Sequence, residues 1–282
     1  MPFAFHRPPD LDAALGALAE EGALPIAGGT ALVPRLRRRE VAPRLLVAIS
    51  RLSELRGVRP DSGCCAVGAA TTLSEIARSP EVLAAAPLLV ELCAGARSPQ
   101  IRNAATLGGS MLSGPDFAEP ALALLALGAR VALRSCRGER EVAVDDLFVE
   151  ASVARQGELI VGVVLPPSAA KARHGLYRVA RREAIEPPLV AAAVCLWFGA
   201  NGAAEEIRIC LGGASPRPIR LRQVEDALRG RVVSPEAARR AVEDALADIP
   251  LRPDVRAGEG YRRRVIPTAV ARSVEAALGR SR

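Results

Sequence analysis

Lysine is almost missing from this chain: of its 38 basic residues, only Lys171 is not an arginine. Aromatic residues are thin at 3%, and histidine occurs only as His6 and His174. A net charge of +7 would suit a polyanion. A nucleic-acid binder, however, needs a basic stripe and ring faces on which bases stack. The strongest basic run, Arg35-Leu36-Arg37-Arg38-Arg39, is short and interrupted. It reads as a solvated helix end or a surface for an acidic partner, not as a nucleic-acid site.

The six cysteines form no C-x-x-C pair. Cys64 and Cys65 are neighbours in a strand-like run, where successive side chains point to opposite faces. Neither histidine has a carboxylate at ligand spacing. Buried free thiols are expected, and no metal site. No apolar run is long and uncharged enough to span a bilayer, and MPFAFHRPPD lacks the apolar core of a signal peptide. The chain is read as cytoplasmic, without membrane insertion.

Motif absences narrow the chemistry. There is no G-x-x-x-x-G-K-[ST] phosphate loop and no G-x-S-x-G nucleophile elbow. The lone G-x-G, Gly258-Glu259-Gly260, lies in a basic C-terminal turn without the strand–helix context of a dinucleotide fingerprint. Asp145-Asp146 and Glu205-Glu206 read as helix or strand starts. No residue is assigned a catalytic role.

What is present is an α+β pattern in three units, 1–55, 56–171 and 172–282. In the first, an amphipathic helix over Asp10–Glu20, a short strand at Leu24–Ile26, a helix over Ala31–Arg39 and a β-rich run at 44–50 suggest a small parallel sheet. The second starts with a strand at GCCAVGA and a helix behind the capping box Thr72-x-x-Glu75. A helix over Glu81–Ala94 and a helix with Pro120 in its first turn follow, then strands ARVALRS and ELIVGVVLP. The third shows a hairpin, LVAAAVCLWF–GANG–EEIRICLGG, and helices at roughly 219–229, 235–247 and 261–279.

Two glycine-bearing bends carry the clearest chemical signal: Ala27-Gly28-Gly29-Thr30-Ala31 and Thr106-Leu107-Gly108-Gly109-Ser110. Glycine lets main-chain N–H groups approach a phosphate, and helix starts favour an anion. Thr30, Thr106 and Ser110 add hydroxyls. A lone Gly-Gly is more often a tight turn, which is how Leu211-Gly212-Gly213-Ala214 is read. Residue types and spacing stop at a phosphate-bearing ligand.

Eight motifs in order take the reading further: AGGTALVPRLR, VGAATTLSEI, PQIRNAATLGGSM, PALALLALGARVAL, GELIVGVVLP, YRVARRE, CLGGASPRPIR and GYRRRVIPTAV. With them the chain resembles the FAD-binding medium subunit of the molybdenum hydroxylases, the family of xanthine dehydrogenases, aldehyde oxidoreductases and aerobic carbon monoxide dehydrogenases. The resemblance implies a two-subdomain FAD-binding domain of the vanillyl-alcohol-oxidase type, then a C-terminal antiparallel sheet with a three-helix bundle. It implies FAD in this chain, with [2Fe-2S] clusters in a small partner subunit and the molybdopterin cofactor in a large one, assembled as a heterotrimer or a dimer of heterotrimers. Electrons would pass from the clusters through FAD to an external acceptor.

Carried over by motif, Ala27, Gly28, Gly29, Thr30, Ala31 and Leu32 form the first cofactor-binding bend, and Thr106, Gly108, Gly109 and Ser110 the second. Ser113 and Asp116 supply further polar contacts, Ile160 an apolar contact to the ring, and Arg178 a cation near it. Ala31, Ala105 and Ser110 stand where the family commonly has a polar residue, a glycine and an asparagine. Pro187-Pro188 replaces an alanine-containing run close to the flavin. The family's acidic residue is Asp116 or Glu119. A medium subunit that keeps the fold with weakened or lost FAD binding is the alternative.

Overall fold

The computed structural model describes residues 3–61, 64–96, 98–114, 119–149, 157–182 and 186–279. The first unit is β1 (Ala4–His6), α1 (Leu11–Leu18), β2 (Ala23–Ile26), α2 (Leu32–Arg37) and β3 (Leu45–Ala48). Its three strands run parallel in the order β1-β3-β2, which leaves β2 on the edge. Asp10 caps α1 by accepting from the Ala13 amide, and Leu11, Ala14, Leu15 and Leu18 are its buried stripe. All three strands end on one side of the sheet, where a ligand crevice is expected in parallel α/β layers.

The second unit holds β4 (Val58–Asp61), β5 (Cys64–Gly68), α3 (Leu73–Arg78), α4 (Pro80–Ala85), α5 (Pro87–Gly95), α6 (Pro99–Ala104), α7 (Leu107–Met111), α8 (Glu119–Leu127), β6 (Arg130–Ser135), β7 (Gly138–Ala143), α9 (Val144–Val149) and β8 (Leu159–Leu165). Its five strands pair antiparallel in the order β4-β5-β8-β6-β7. The helix expected over Glu81–Ala94 is two helices, because Pro87 lacks an N–H and Ala86 before it is turned out of helical geometry. The bend at Thr106–Ser110 is itself helical, as α7.

The third unit is β9 (Arg173–Val179), β10 (Val190–Phe198), β11 (Ala204–Gly212), β12 (Ile219–Arg220), α10 (Arg222–Leu228), α11 (Pro235–Ala245) and α12 (Glu259–Gly279). Its antiparallel sheet runs β12-β11-β10-β9. The helix expected from 219 begins instead at Arg222, because Ile219 and Arg220 pair with β11. Strand β10 is apolar on both faces for a reason. Val190, Ala192, Val194 and Leu196 pack with the three-helix layer, while Ala191, Ala193 and Cys195 join the core around α8 of the preceding unit. That shared core seats the C-terminal domain on the FAD-type domain.

Candidate functional site

The chain leaves the carboxyl end of β2 directly into Ala27–Ala31 before α2 begins at Leu32. Gly29 takes φ +68°, a left-handed geometry that disfavours any residue with a Cβ. Among the described residues, the amides of Gly28, Gly29, Thr30, Ala31 and Leu32 donate to no protein acceptor. A stretch of main-chain donors is thereby available to an anion.

The second bend is built differently. Its amides are already used: Leu107 donates to the Thr71 carbonyl (3.0 Å), Gly108 to Ala69 (2.9 Å) and Ser110 to Thr106 (2.9 Å). Gly109 donates to the Thr106 hydroxyl at 3.3 Å, which makes Thr106 the helix cap. The expectation that both bends offer free N–H groups is therefore corrected. The second bend is stitched onto residues 69–73 and presents a shaped wall.

The glycines record how closely these segments meet. A Cβ on Gly28 would lie 1.7 Å from the carbonyl oxygen of Ala104, just before the second bend. One on Gly108 would lie 2.9 Å from the Ala69 Cβ. At these two positions glycine admits the protein's own atoms, the main chain of Ala104 at Gly28 and Ala69 at Gly108, not a phosphate. At Gly109 the sole close neighbour is a side-chain atom, the Thr106 hydroxyl at 2.9 Å.

Between the bends lies a cleft of about 650 Å³ that runs along the free edge of β2 and across to Gly157–Ile160, within the usual size of small-molecule sites. Ala27, Gly28, Gly29, Thr30, Ala31, Leu32, Thr106, Gly108, Gly109, Ser113 and Ile160 all line it. Ser110 and Arg178 do not: Ser110 is a buried residue of α7 itself, and Arg178 pairs with Glu119 at 2.6 Å and donates to the Gly95 carbonyl at 3.2 Å. Asp116 lies outside the described residues. Sequence reasoning missed Ala69, Leu112 and the cation Arg35, which also line the cleft. Arg35 was grouped with the solvated arginines. Its place one helical turn past the first bend was the available signal. Glu158, also in the lining, is held by Arg140 through two hydrogen bonds of 2.8 and 2.9 Å.

The residues present fit a dinucleotide bearing a diphosphate. Amides without a protein acceptor and Arg35 would suit the anion, and Leu24, Ile26, Leu112 and Ile160 line the cleft with apolar walls. Residues 1–168 match the model described as "FAD binding domain in molybdopterin dehydrogenase", and residues 175–277 match "CO dehydrogenase flavoprotein C-terminal domain". The chain belongs to the FAD-binding medium subunits of the molybdenum hydroxylases. This medium subunit is 34% identical to the 6-hydroxypseudooxynicotine dehydrogenase complex subunit alpha of Paenarthrobacter nicotinovorans, over 95% of this chain and 92% of that one. It is 29% identical to the carbon monoxide dehydrogenase medium chain of Hydrogenophaga pseudoflava, over 99% and 98% of the two chains. The solved carbon monoxide dehydrogenase of that organism superposes with a TM-score of 0.92 at 29% identity, covering 99% of this chain and 98% of that chain. The medium subunit is thus an FAD-containing oxidoreductase component, and no helix among its described residues is long and apolar enough to cross a membrane.

Proposed function

We propose that the cleft between the two bends is the FAD site, with Gly28–Leu32 supplying main-chain donors to the diphosphate and Arg35 a balancing cation. Thr106, Gly108 and Gly109 form the facing wall, and Ser113 and Ile160 extend it. The observation that carries this reading is the convergence of both bends on one cleft beside unpartnered amides. FAD, when bound, supplies an electron relay between the iron–sulfur clusters of a small subunit and an external acceptor. Substrate hydroxylation belongs to a large molybdenum-cofactor subunit, in a heterotrimer or dimer of heterotrimers. The chain's own residues bind, orient and shield. That division of labour agrees with the lack of any assigned acid, base or nucleophile.

A second reading, a subunit that keeps the fold with weakened FAD binding, draws on one observation: the second bend has spent its amides inside the protein. One experiment separates the two. Cofactor released from the purified protein is identified and its ratio to protein measured, for the natural chain and for Gly109→Val. The FAD reading expects near-stoichiometric FAD in the first and its loss, with the fold retained, in the second. Unchanged flavin in the variant would count against the site. Absent flavin in both would favour the second reading.

A further inference from the structure

One long stretch of the first unit contributes nothing to a core. From Ala19 to Ala42 no residue is buried, the longest such run among the described residues. It holds β2, the first bend and α2, and it carries Leu24, Ile26, Leu32, Val33 and Leu36, side chains of the kind that fill protein interiors. Its neighbours on the same sheet behave otherwise: α1 buries Leu11, Ala14, Leu15 and Leu18, and β3 buries Leu46 and Val47. The cleft accounts for the difference. Every residue from Glu21 to Leu32 lines it, so Leu24, Ile26 and Leu32 border the cleft and are buried in none of the hydrophobic cores.

The helix in this stretch is held mainly by itself. At six residues α2 is too short to be stable alone in water. Its N-cap, Ala31, makes no side-chain hydrogen bond. Two left-handed residues bound it, Gly29 at φ +68° and Arg39 at φ +59°. Arg39 is the one residue with a side chain in that region among the described residues, and it stands where a helix end favours glycine. The closing amides find their acceptors inside α2: Arg38 donates to Pro34 (3.0 Å), Arg39 to Leu36 (3.1 Å) and Glu40 to Arg35 (3.0 Å). Charged side chains pair locally too, Arg35 and Arg38 both with Glu40.

We propose that residues 19–42 form an arm whose ordering is coupled to the cofactor. A dinucleotide in the cleft covers the apolar side of β2, engages the amides of the bend and pairs with Arg35, and so fixes α2 at its N-terminal end and its middle. Segments with few buried contacts open most readily. A ligand that binds only the closed form suppresses that opening by mass action. Flavin retention and folding of the arm are then one equilibrium, and loss of the cofactor loosens this arm before the rest of the chain. The coupling rests on the reading of the cleft as the FAD site.

Amide hydrogen exchange tests this, read by mass spectrometry on the purified protein, with any subunits it retains, after flavin removal and during titration with FAD. Flavin fluorescence follows binding separately. The deciding amides are those of Arg38, Arg39 and Glu40. Their acceptors lie inside α2, so contact with flavin does not slow them and coupled ordering does. Their exchange should fall about 100-fold at free FAD about 100 times its Kd, while α12 keeps its rate. Arg39→Gly, outside the cleft lining, should slow the same amides without flavin and tighten FAD binding several-fold, because the arm is pre-ordered. FAD that binds without changing these amides overturns the coupling and leaves the site assignment standing. FAD that fails to bind defeats the site assignment and the coupling together. Slowing that extends equally to α12 marks a global effect and overturns the coupling, as does an Arg39→Gly chain with slowed amides and natural flavin affinity.

Discussion

Replacing Gly28 by alanine tests the site's construction most directly. The added methyl would stand 1.7 Å from the Ala104 carbonyl oxygen and 2.5 Å from its carbon. Both are main-chain atoms, so no side-chain rotation relieves the clash. The bends must part by about 2 Å before the carbon reaches ordinary contact with that oxygen. Forcing a methyl into a closed contact costs about 1–3 kcal/mol. At roughly 2–4 °C per kcal/mol for chains of this size, melting should fall by about 2–12 °C. Parting the bends also pulls the opposing wall away from the Gly28–Leu32 amides. Weakening even one hydrogen bond to a charged group costs about 1.5–3 kcal/mol, so flavin affinity should drop about ten-fold or more. Gly16→Ala is the control: it lies in α1 with nothing within 4 Å of the new carbon, and there alanine should stabilise by about 0.5–1 kcal/mol. Thermal melting and flavin titration of the apoprotein read both quantities. A Gly28→Ala protein that melts and binds flavin like the natural one refutes the close-approach argument.

Three further outcomes are expected. Arg178→Met should destabilise by about 1.5–3 kcal/mol, because it removes the guanidinium that lies 2.6 Å from the buried Glu119 carboxylate; Glu119→Leu in the same chain should recover part of the lost melting temperature. Burial alone would raise the Asp254 pKa, but hydrogen bonds from Arg256, the Arg256 and Ala257 amides and Arg262 pull it well below the usual carboxylate range. Its stabilisation is therefore whole above about pH 4 and is lost as pH falls toward the depressed folded value. Asp254→Asn should lower stability at pH 7 and flatten the acid limb of a melting-versus-pH curve. Burial pushes the Cys195 thiol up to about 12, and burial with the nearby Glu119 raises Cys93 further, whereas Cys136 is exposed. In mass-spectrometric alkylation Cys136 should therefore react first, and Cys93 and Cys195 only on unfolding.

The parallel first sheet, the capping box at Thr72 and the β10–β11 hairpin were legible in the sequence because each rests on local chemistry. So were the bends, since glycine leaves a mark wherever main chains meet. What they meet was not legible. The segment Gly28 packs against lies 76 residues later in the chain, at Ala104, and no spacing rule links the two. Arg178 fails for a similar reason. The resemblance set it beside the flavin ring, while its actual acceptors, Glu119 and the Gly95 carbonyl, come from two helices far upstream. Short strands such as β12 were hidden because two residues carry no periodicity, and only pairing with β11 defines them.

The unequal bends bear on the substituted positions. If the cofactor's diphosphate were held by side chains, alanine at position 31 and serine at position 110 would each remove a contact. In the proposed site the donors are main-chain amides, which Ala31 supplies as well as any polar residue would. Ser110 is a buried residue of α7, outside the cleft lining, so its shorter side chain withdraws nothing from that surface. What the second bend must provide is a fixed wall, and its four internally bonded amides, with Thr106 as cap, are what fix it. The same bonds that favour a weakened-cofactor reading at first sight therefore agree with retention as well: they hold one face of the cleft in place opposite the donor-rich one.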